Sequence, residues 1–327
     1  MSVIEEISIN SIEGFRIGNA QNVRGGTGCT VIICDEGAVG GVDVRGGGPA
    51  TRETDLLSPV SMCEALYAVV LSGGSAFGLD ASGGVMKYLE ENEIGFDTGA
   101  GQVPIVSGAC LFDLITADAK CRPDADMGYN ACIESEKNEP QMGNYGAGTG
   151  ATVGKFMGKE RLMKGGLGFY ALKTGNLKVG AVVAVNCLGD VYDVDTGEPM
   201  AGLLSEDGSR IVSTRNAMWS SAEAKKNVFK GNTTIGCIIT NAALSKAQCS
   251  KLASMAHDGY ADAIKPVHTS ADGDTIFFMA RGDVEVNQDA LGDLGAYVMG
   301  KAVNNGVRYA RSAYGFKAMS DIKKENK

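Results

Sequence analysis

The chain has 327 residues, 44% hydrophobic and 21% charged, with a formal net charge of -9 at pH 7. This composition fits a soluble globular protein with a sizeable core, in one large domain or two ordinary ones. The negative balance, with no basic patch interleaved with aromatics, argues against nucleic acid as the main partner.

Taken in chain order, residues 28–44 alternate around Asp35-Glu36-Gly37 and predict a hairpin. Leu56 to Leu71 predicts a helix, with Ser58-Pro59 near its start. After the Gly73-Gly74 break, Ala76 to Glu91 predicts a second helix. Residues 119–143 are polar, carry Pro123 and Pro140, and predict a surface excursion. Residues 167–186 form a second hairpin around Thr174-Gly175-Asn176. Glu206 to Lys230 predicts an exposed loop. A buried strand follows at Ile235 to Thr240, then a helix (Ser245 to Ile264), a strand (Thr275 to Ala280) and a helix (Gln288 to Ser312). No internal repeat is present. Long helices mixed with hairpins predict an α+β fold with sheets covered by helices.

The nine cysteines show no Cys-x-x-Cys spacing. Cys29, Cys34, Cys187 and Cys237 sit in apolar strand-like runs, which predicts reduced, buried thiols and a cytoplasmic protein. The first six residues lack the basic and apolar regions of a secretory leader, and no apolar run has the length of a membrane span, so no membrane partner is expected.

Several motifs tempt and fail. Gly146-Ala147-Gly148-Thr149-Gly150-Ala151 matches a loose dinucleotide fingerprint, but no strand precedes it and no acidic residue follows at the required distance. Gly154-Lys155 resembles the end of a phosphate loop, but Thr149 and Phe156 stand where a Gly and a Ser or Thr are needed. Gly73-Gly74-Ser75-Ala76-Phe77-Gly78 resembles a nucleophile elbow whose final Gly is one residue late. The two histidines, His257 and His268, have no metal-ligand spacing and support neither a zinc site nor a Ser-His-Asp triad; His268 reads as structural, near a strand start. No cofactor or metal is expected.

A hydrolase without a usable histidine needs another base. Asn232-Thr233-Thr234 lies at a turn-to-strand transition. A cut before Thr233 would create an N-terminal Thr, whose hydroxyl is a nucleophile and whose α-amine titrates in the range suited to a base. Lys155 and the pair Asp272 and Asp274 are candidates to support it. The alternatives are an ordinary turn at Asn232-Thr233-Thr234 and a solvated Asp-Gly-Asp turn at 272–274.

Longer motifs decide the reading. Gly41-Val42-Asp43-Val44-Arg45-Gly46-Gly47, Thr51-Arg52-Glu53-Thr54, residues 71–79, residues 146–155, Val185-Asn186, residues 232–236 and Asp272-Gly273-Asp274-Thr275 occur together in one family. The chain resembles the L-aminopeptidase/D-esterase (DmpA-like) family from about residue 10 to 315. That family includes β-aminopeptidases and the endo-type 6-aminohexanoate-oligomer hydrolases. The resemblance implies an αββα sandwich of N-terminal-nucleophile type, like that of ornithine acetyltransferase. It implies a single catalytic domain over 1–327 that cuts itself between Asn232 and Thr233, giving an α chain of 1–232 and a β chain of 233–327. Thr233 matches the nucleophile. Asp272 and Asp274 match acidic positions that orient it in the nylon-oligomer branch; β-aminopeptidases tend to carry Ser and Glu there. Lys155 and Asn186 match positions near the nucleophile, Asn186 as an oxyanion donor and Lys155 to position substrate or hold down the amine pKa. The implied partners are a small peptide, amide or ester substrate and other copies of the chain, as a tetramer of α/β heterodimers. Two alternatives remain open: an acyltransferase of the ornithine acetyltransferase type, and an unprocessed non-enzymatic binding protein.

Overall fold

A computed structural model describes residues 3–223 and 231–322. Its principal elements in chain order are β1 (Arg16–Asn22), β2 (Thr27–Val44), β3 (Leu66–Ser72), α1 (Ala81–Glu91), β4 (Val106–Cys110), α2 (Ala125–Ser135), β5 (Gly166–Thr174), β6 (Leu177–Val185), β7 (Ile235–Ala242), α3 (Lys246–Ala263), β8 (Thr275–Val284) and α4 (Gln288–Arg308).

Two sheets share one strand. The first runs Ile4–Glu6, β5, β6, β7, β8 and the second half of β2; the second holds β1, the first half of β2, β3, β4 and Thr51–Arg52. The pairs β7/β8 and β3/β4 are parallel. Strand periodicity then sorts each side chain to a layer. On β6, Val182 and Ala184 face the core between the sheets, with Ile235, Cys237 and Ile239 of β7, Phe277 and Met279 of β8, and Val69 and Leu71 of β3. The alternate residues of β6, Val179, Ala181, Val183 and Val185, join Leu252, Ala256 and Tyr260 of α3 and Val298, Ala302 and Val303 of α4 in a second core. A third core lies between β2 and β3, through Val31, Ile33, Ala68 and Val70, and the helices α1 and α2, through Val85, Leu89, Ala131 and Cys132. The order helices, sheet, sheet, helices is the expected αββα sandwich.

Several local expectations are corrected. Residues 28–44 do not fold back as a hairpin. They form one strand that pairs with β1 and β3 through its first half and with β8 through its second. The ladder to β3 slips between Ile33 and Ala38, and Gly37, at φ 76°, lets the chain bend there instead of reversing. Leu56 to Leu71 is not a helix. A short 3-10 turn at Asp55–Leu57 leads on to β3, whose seven residues are all buried. A strand buried on both faces loses its alternation, and its apolar run then mimics a helix. The polar stretch 119–143 is not merely a surface excursion. It contains α2, N-capped by Asp124, whose carboxylate accepts from the Met127 N–H at 2.9 Å. Glu206 to Lys230 contains the short helix Thr214–Ser220, and the part of that expectation over 224–230 lies outside the described residues. The hairpin β5/β6 and the succession β7, α3, β8, α4 stand within a few residues of their expected bounds. All nine cysteines are unpaired thiols. Among the described residues no helix is long and apolar enough to cross a membrane.

Candidate active site

The segment Gly231 to Thr234 enters the first sheet ahead of β7. Asn232 bridges Asp272 in parallel fashion; the Gly273 N–H donates to the Asn232 carbonyl at 3.1 Å, and the Thr275 N–H to that of Thr234 at 3.2 Å. The parallel β7/β8 ladder thus begins before either strand proper and brings Asp272 to Asp274 alongside Asn232 to Thr234. On the other side, the Thr233 N–H donates at 3.0 Å to the carbonyl of Asn186, the residue that follows β6. Thr233 is 4% exposed, and its hydroxyl donates to the carbonyl oxygen of Asn232, in the peptide bond just before it. Two glycines make this approach possible. A Cβ on Gly273 would lie 2.8 Å from Thr233 Oγ1, and Gly231, at φ 113°, packs where a Cβ would meet the Phe112 ring at 2.6 Å.

The other predicted residues are gathered here. The Lys155 side chain is completely buried, and its Nζ donates to Asn186 Oδ1 at 2.6 Å and to the Gly231 carbonyl at 3.3 Å. Asn186 Oδ1 also accepts from the Thr152 N–H at 3.0 Å, while Nδ2 donates to the Phe112 carbonyl at 3.1 Å. Two donors on one side and a carbonyl on the other fix which way the amide faces. Asp274 Oδ1 accepts from the Thr234 N–H at 2.8 Å. Asp272 Oδ2 accepts from the Thr269 N–H and hydroxyl at 2.7 and 2.6 Å. The carboxylates are 2% and 1% exposed, so the solvated-turn alternative for 272–274 does not describe them.

Burial sets the proton affinities. It draws the Lys155 amine down to about 7, against the opposing pull of Cys187, Asp272 and Asp113. It pushes the Asp272 carboxyl up to about 6, reinforced by the charge of Asp274 and resisted by the Thr269 donors and Lys155. An ammonium and a carboxyl both brought toward neutrality in one enclosed place are a recurring mark of a functional site. Asp272 Oδ1, Thr234 Oγ1 and both polar atoms of the Asn232 side chain are buried with no hydrogen-bond partner among the described residues. A cavity of about 350 Å³ opens on Thr233, bounded by Gly48, Ala50, Cys110, Phe112 and Ser270 among others.

Sequence reasoning missed several contributors. Asp113, buried, accepts from the Thr27 hydroxyl and the Gly74 N–H, both at 2.7 Å, and its charge reaches Lys155. The Lys164 ammonium donates to the carbonyls of Gly148, Ala151 and Gly165, each at 2.9 Å, and ties down the glycine-rich stretch that leads to Lys155. His268 hydrogen-bonds Asp274. None of the three stands in a pattern that sequence alone distinguishes from a surface or core residue.

The comparisons with known proteins agree with this picture. The model of peptidase family S58 matches residues 8–320. An uncharacterized aminopeptidase of Mycobacterium leprae is 42% identical over 301 residues, covering 86% of this chain and 81% of its own length. A 6-aminohexanoate-oligomer endohydrolase of Kocuria sp. is 30% identical over 304 residues, covering 89% and 83%. Among solved structures, a Burkholderia sp. beta-aminopeptidase superposes with a TM-score of 0.68 at 18% identity over 98% of this chain and 92% of its own. The L-aminopeptidase D-Ala-esterase/amidase of Ochrobactrum anthropi, described as a variant of the Ntn hydrolase fold, gives a TM-score of 0.67 at 16% identity over 93% and 86%.

Proposed function

The chain belongs to peptidase family S58, and on that premise we propose that it is a self-processing amide-bond hydrolase whose nucleophile is the Thr233 hydroxyl. The observation that carries the proposal is the contact of that hydroxyl with the carbonyl of the bond to be cut, a carbonyl that also accepts the Gly273 N–H at 3.1 Å.

In the intact chain Thr233 Oγ would attack the Asn232 carbonyl carbon, and the Gly273 N–H would stabilise the negative charge that develops on its oxygen. The C–N bond then breaks, Asn232 passes to Oγ as an ester, and the nitrogen of Thr233, receiving from the base the proton taken off Oγ, becomes an amine. Water hydrolyses the ester, leaving an Asn232 carboxylate and a free N-terminal Thr233. In the first step the Thr233 nitrogen is an amide and cannot act as base. Lys155, whose Nζ donates to the Gly231 carbonyl, and Asp272, which bridges Asn232, are the candidates to take the Oγ proton, each brought toward neutrality by burial.

In turnover the free α-amine would take the Oγ proton as the hydroxyl attacks a substrate amide, then deliver it to the departing amine. Water would release the acyl group. The second hydrogen on Asn186 Nδ2, beyond the one given to Phe112, is suited to the oxyanion. The cavity is near the lower end of the usual range for ligand sites, which favours a short peptide or linear amide. The relatives' names, aminopeptidase and 6-aminohexanoate-oligomer endohydrolase, support amide hydrolysis, and the second names an oligomeric substrate. The unpaired thiols favour a reducing compartment, and we retain the cytoplasm as the proposed location.

The test is direct. The purified chain should separate under denaturing conditions into two fragments, the smaller beginning at Thr233. Thr233→Ala should remain whole and inactive, whereas Thr233→Ser, which keeps a hydroxyl, should still process. Cleavage of Thr233→Ala at the same bond would sink the intramolecular mechanism. A panel of p-nitroanilides, β-amino amides and 6-aminohexanoate oligomers then assigns the substrate.

A further inference from the structure

The two histidines of the chain, His257 and His268, meet behind the nucleophile's segment, 4.7 Å between ring centroids. His268 has a left-handed backbone, at φ 56°. That conformation turns two donors of one residue onto one oxygen: the His268 N–H and Nδ1 lie 3.1 and 2.8 Å from Asp274 Oδ2. The remaining oxygen of Asp274 accepts the N–H of Thr234, the residue after Thr233, at 2.8 Å. A carboxylate only accepts, so the ring nitrogen that faces it carries the proton.

We propose that His268 is a positioning residue for the nucleophile, acting through Asp274 on the backbone at Thr233-Thr234 in self-cleavage and in turnover. The inference rests on Thr233 being the nucleophile. Among the described residues Asp274 has three hydrogen-bond donors, and two belong to His268. Without the imidazole the buried carboxylate keeps one backbone donor on each oxygen and loses the shortest contact on Oδ2, so its orientation toward Thr234 is less firmly fixed. The His268 ring itself is held by its surroundings. It packs against His257, whose Nε2 faces the Asp43 carbonyl at 3.0 Å, and against Tyr260, 6.2 Å away. Charged groups beyond this cluster include Asp272 on the same loop, with Lys155 behind it, and Asp43 and Arg45 beside His257.

The experiment compares His268→Asn, His268→Gln and His268→Ala with the wild type. Asparagine tolerates left-handed backbone and carries an N–H donor at a reach close to that of Nδ1. Glutamine carries its amide one carbon further, away from Asp274 Oδ2. Each variant is assayed for the rate of self-cleavage and, on a chromogenic amide accepted by the wild type, for kcat and KM separately. The expected result is a loss in kcat of about 10²-fold for Ala and Gln with KM within a few-fold, and recovery of most of that loss in Asn. Wild-type kcat in Ala or Gln overturns the proposal. So does an equal loss in all three variants that follows a fall in Tm, which marks a purely structural role. If Ala does not fold, the contrast of Asn with Gln decides. Thr233→Ala, run alongside, keeps the two readings apart: activity in that variant removes the nucleophile, whereas an inert Thr233→Ala beside a wild-type His268→Gln removes only the positioning role.

Discussion

Asp272 carries two of its four side-chain acceptor directions into the Thr269 donors and leaves Oδ1 without a partner among the described residues, in a place water scarcely reaches. Its folded-state pKa of about 6 lies above the usual 3.8. Between those two values the folded chain holds more protons than the unfolded one, so stability falls as pH rises from about 4 through 6, and the whole deficit is present above 6. Asp272→Asn keeps an acceptor for Thr269 and removes the charge. Placed in a Thr233→Ala chain, it should raise Tm by roughly 2–4 °C above pH 7, with the gain vanishing near pH 4. An equal change at both pH values in thermal unfolding would show that burial of the charge is not the cause. Activity should move the other way. If Thr233 is freed as proposed, Asp272 and Asp274 would favour the protonated form of its amine, Lys155 would oppose them, and kcat/KM should fall on the acid side as that amine takes up its proton. Asp274→Asn, nearly isosteric, should cost about 10²-fold in kcat/KM, roughly 2.7 kcal/mol of transition-state stabilisation. A change of less than a few-fold in steady-state kinetics would remove Asp274 from the mechanism.

At the scale of elements, legibility followed exposure. The hairpin β5/β6 was readable because a Thr-Gly-Asn turn separates an aromatic and aliphatic run from a valine-rich one, and α3 and α4 because each keeps a polar face. Ser245 and Gln248 even form a capping box at the start of α3. Strand β3 was not readable, because its burial on both faces erases the alternation. The bend in β2 resembles a turn locally, and only partners distant in sequence, β8 and β3, show that the strand continues. The site divides the same way. Thr233, Lys155, Asn186, Asp272 and Asp274 stood out through motif resemblance, whereas Asp113, Lys164 and His268 act through contacts with residues that sequence spacing does not reveal. One close approach gives a prediction for the layers themselves. A Cβ on Gly168 of β5 would lie 2.0 Å from the Ala302 carbonyl and 2.4 Å from the Gly306 N of α4. Gly168→Ala should therefore destabilise the chain by ~1–3 kcal/mol, through the helix being forced off the sheet, as read by chemical denaturation. An unchanged midpoint would mean that α4 yields without cost.

For the whole molecule, we propose the assembly that family resemblance implies, four copies of the processed chain. Light scattering should then give four times the 33.9 kDa of one chain, and a mass near 33.9 kDa would reject it. The first sheet bears on what processing would do. Its strands β7 and β8 come from the part after Thr233, and they lie between β6 and β2, which come from the part before it. Cutting the Asn232–Thr233 bond would therefore leave the two pieces hydrogen-bonded along both flanks, and they should elute together until denatured. The cost would appear only on renaturation. The uncut chain would need no second polypeptide to rebuild this sheet, since all its strands are tethered. The cut one would need an encounter between two separate polypeptides, with a rate that falls in proportion to concentration. Processing would thus convert a molecule able to refold alone into one whose native state, once lost in dilute solution, is not regained on the same timescale.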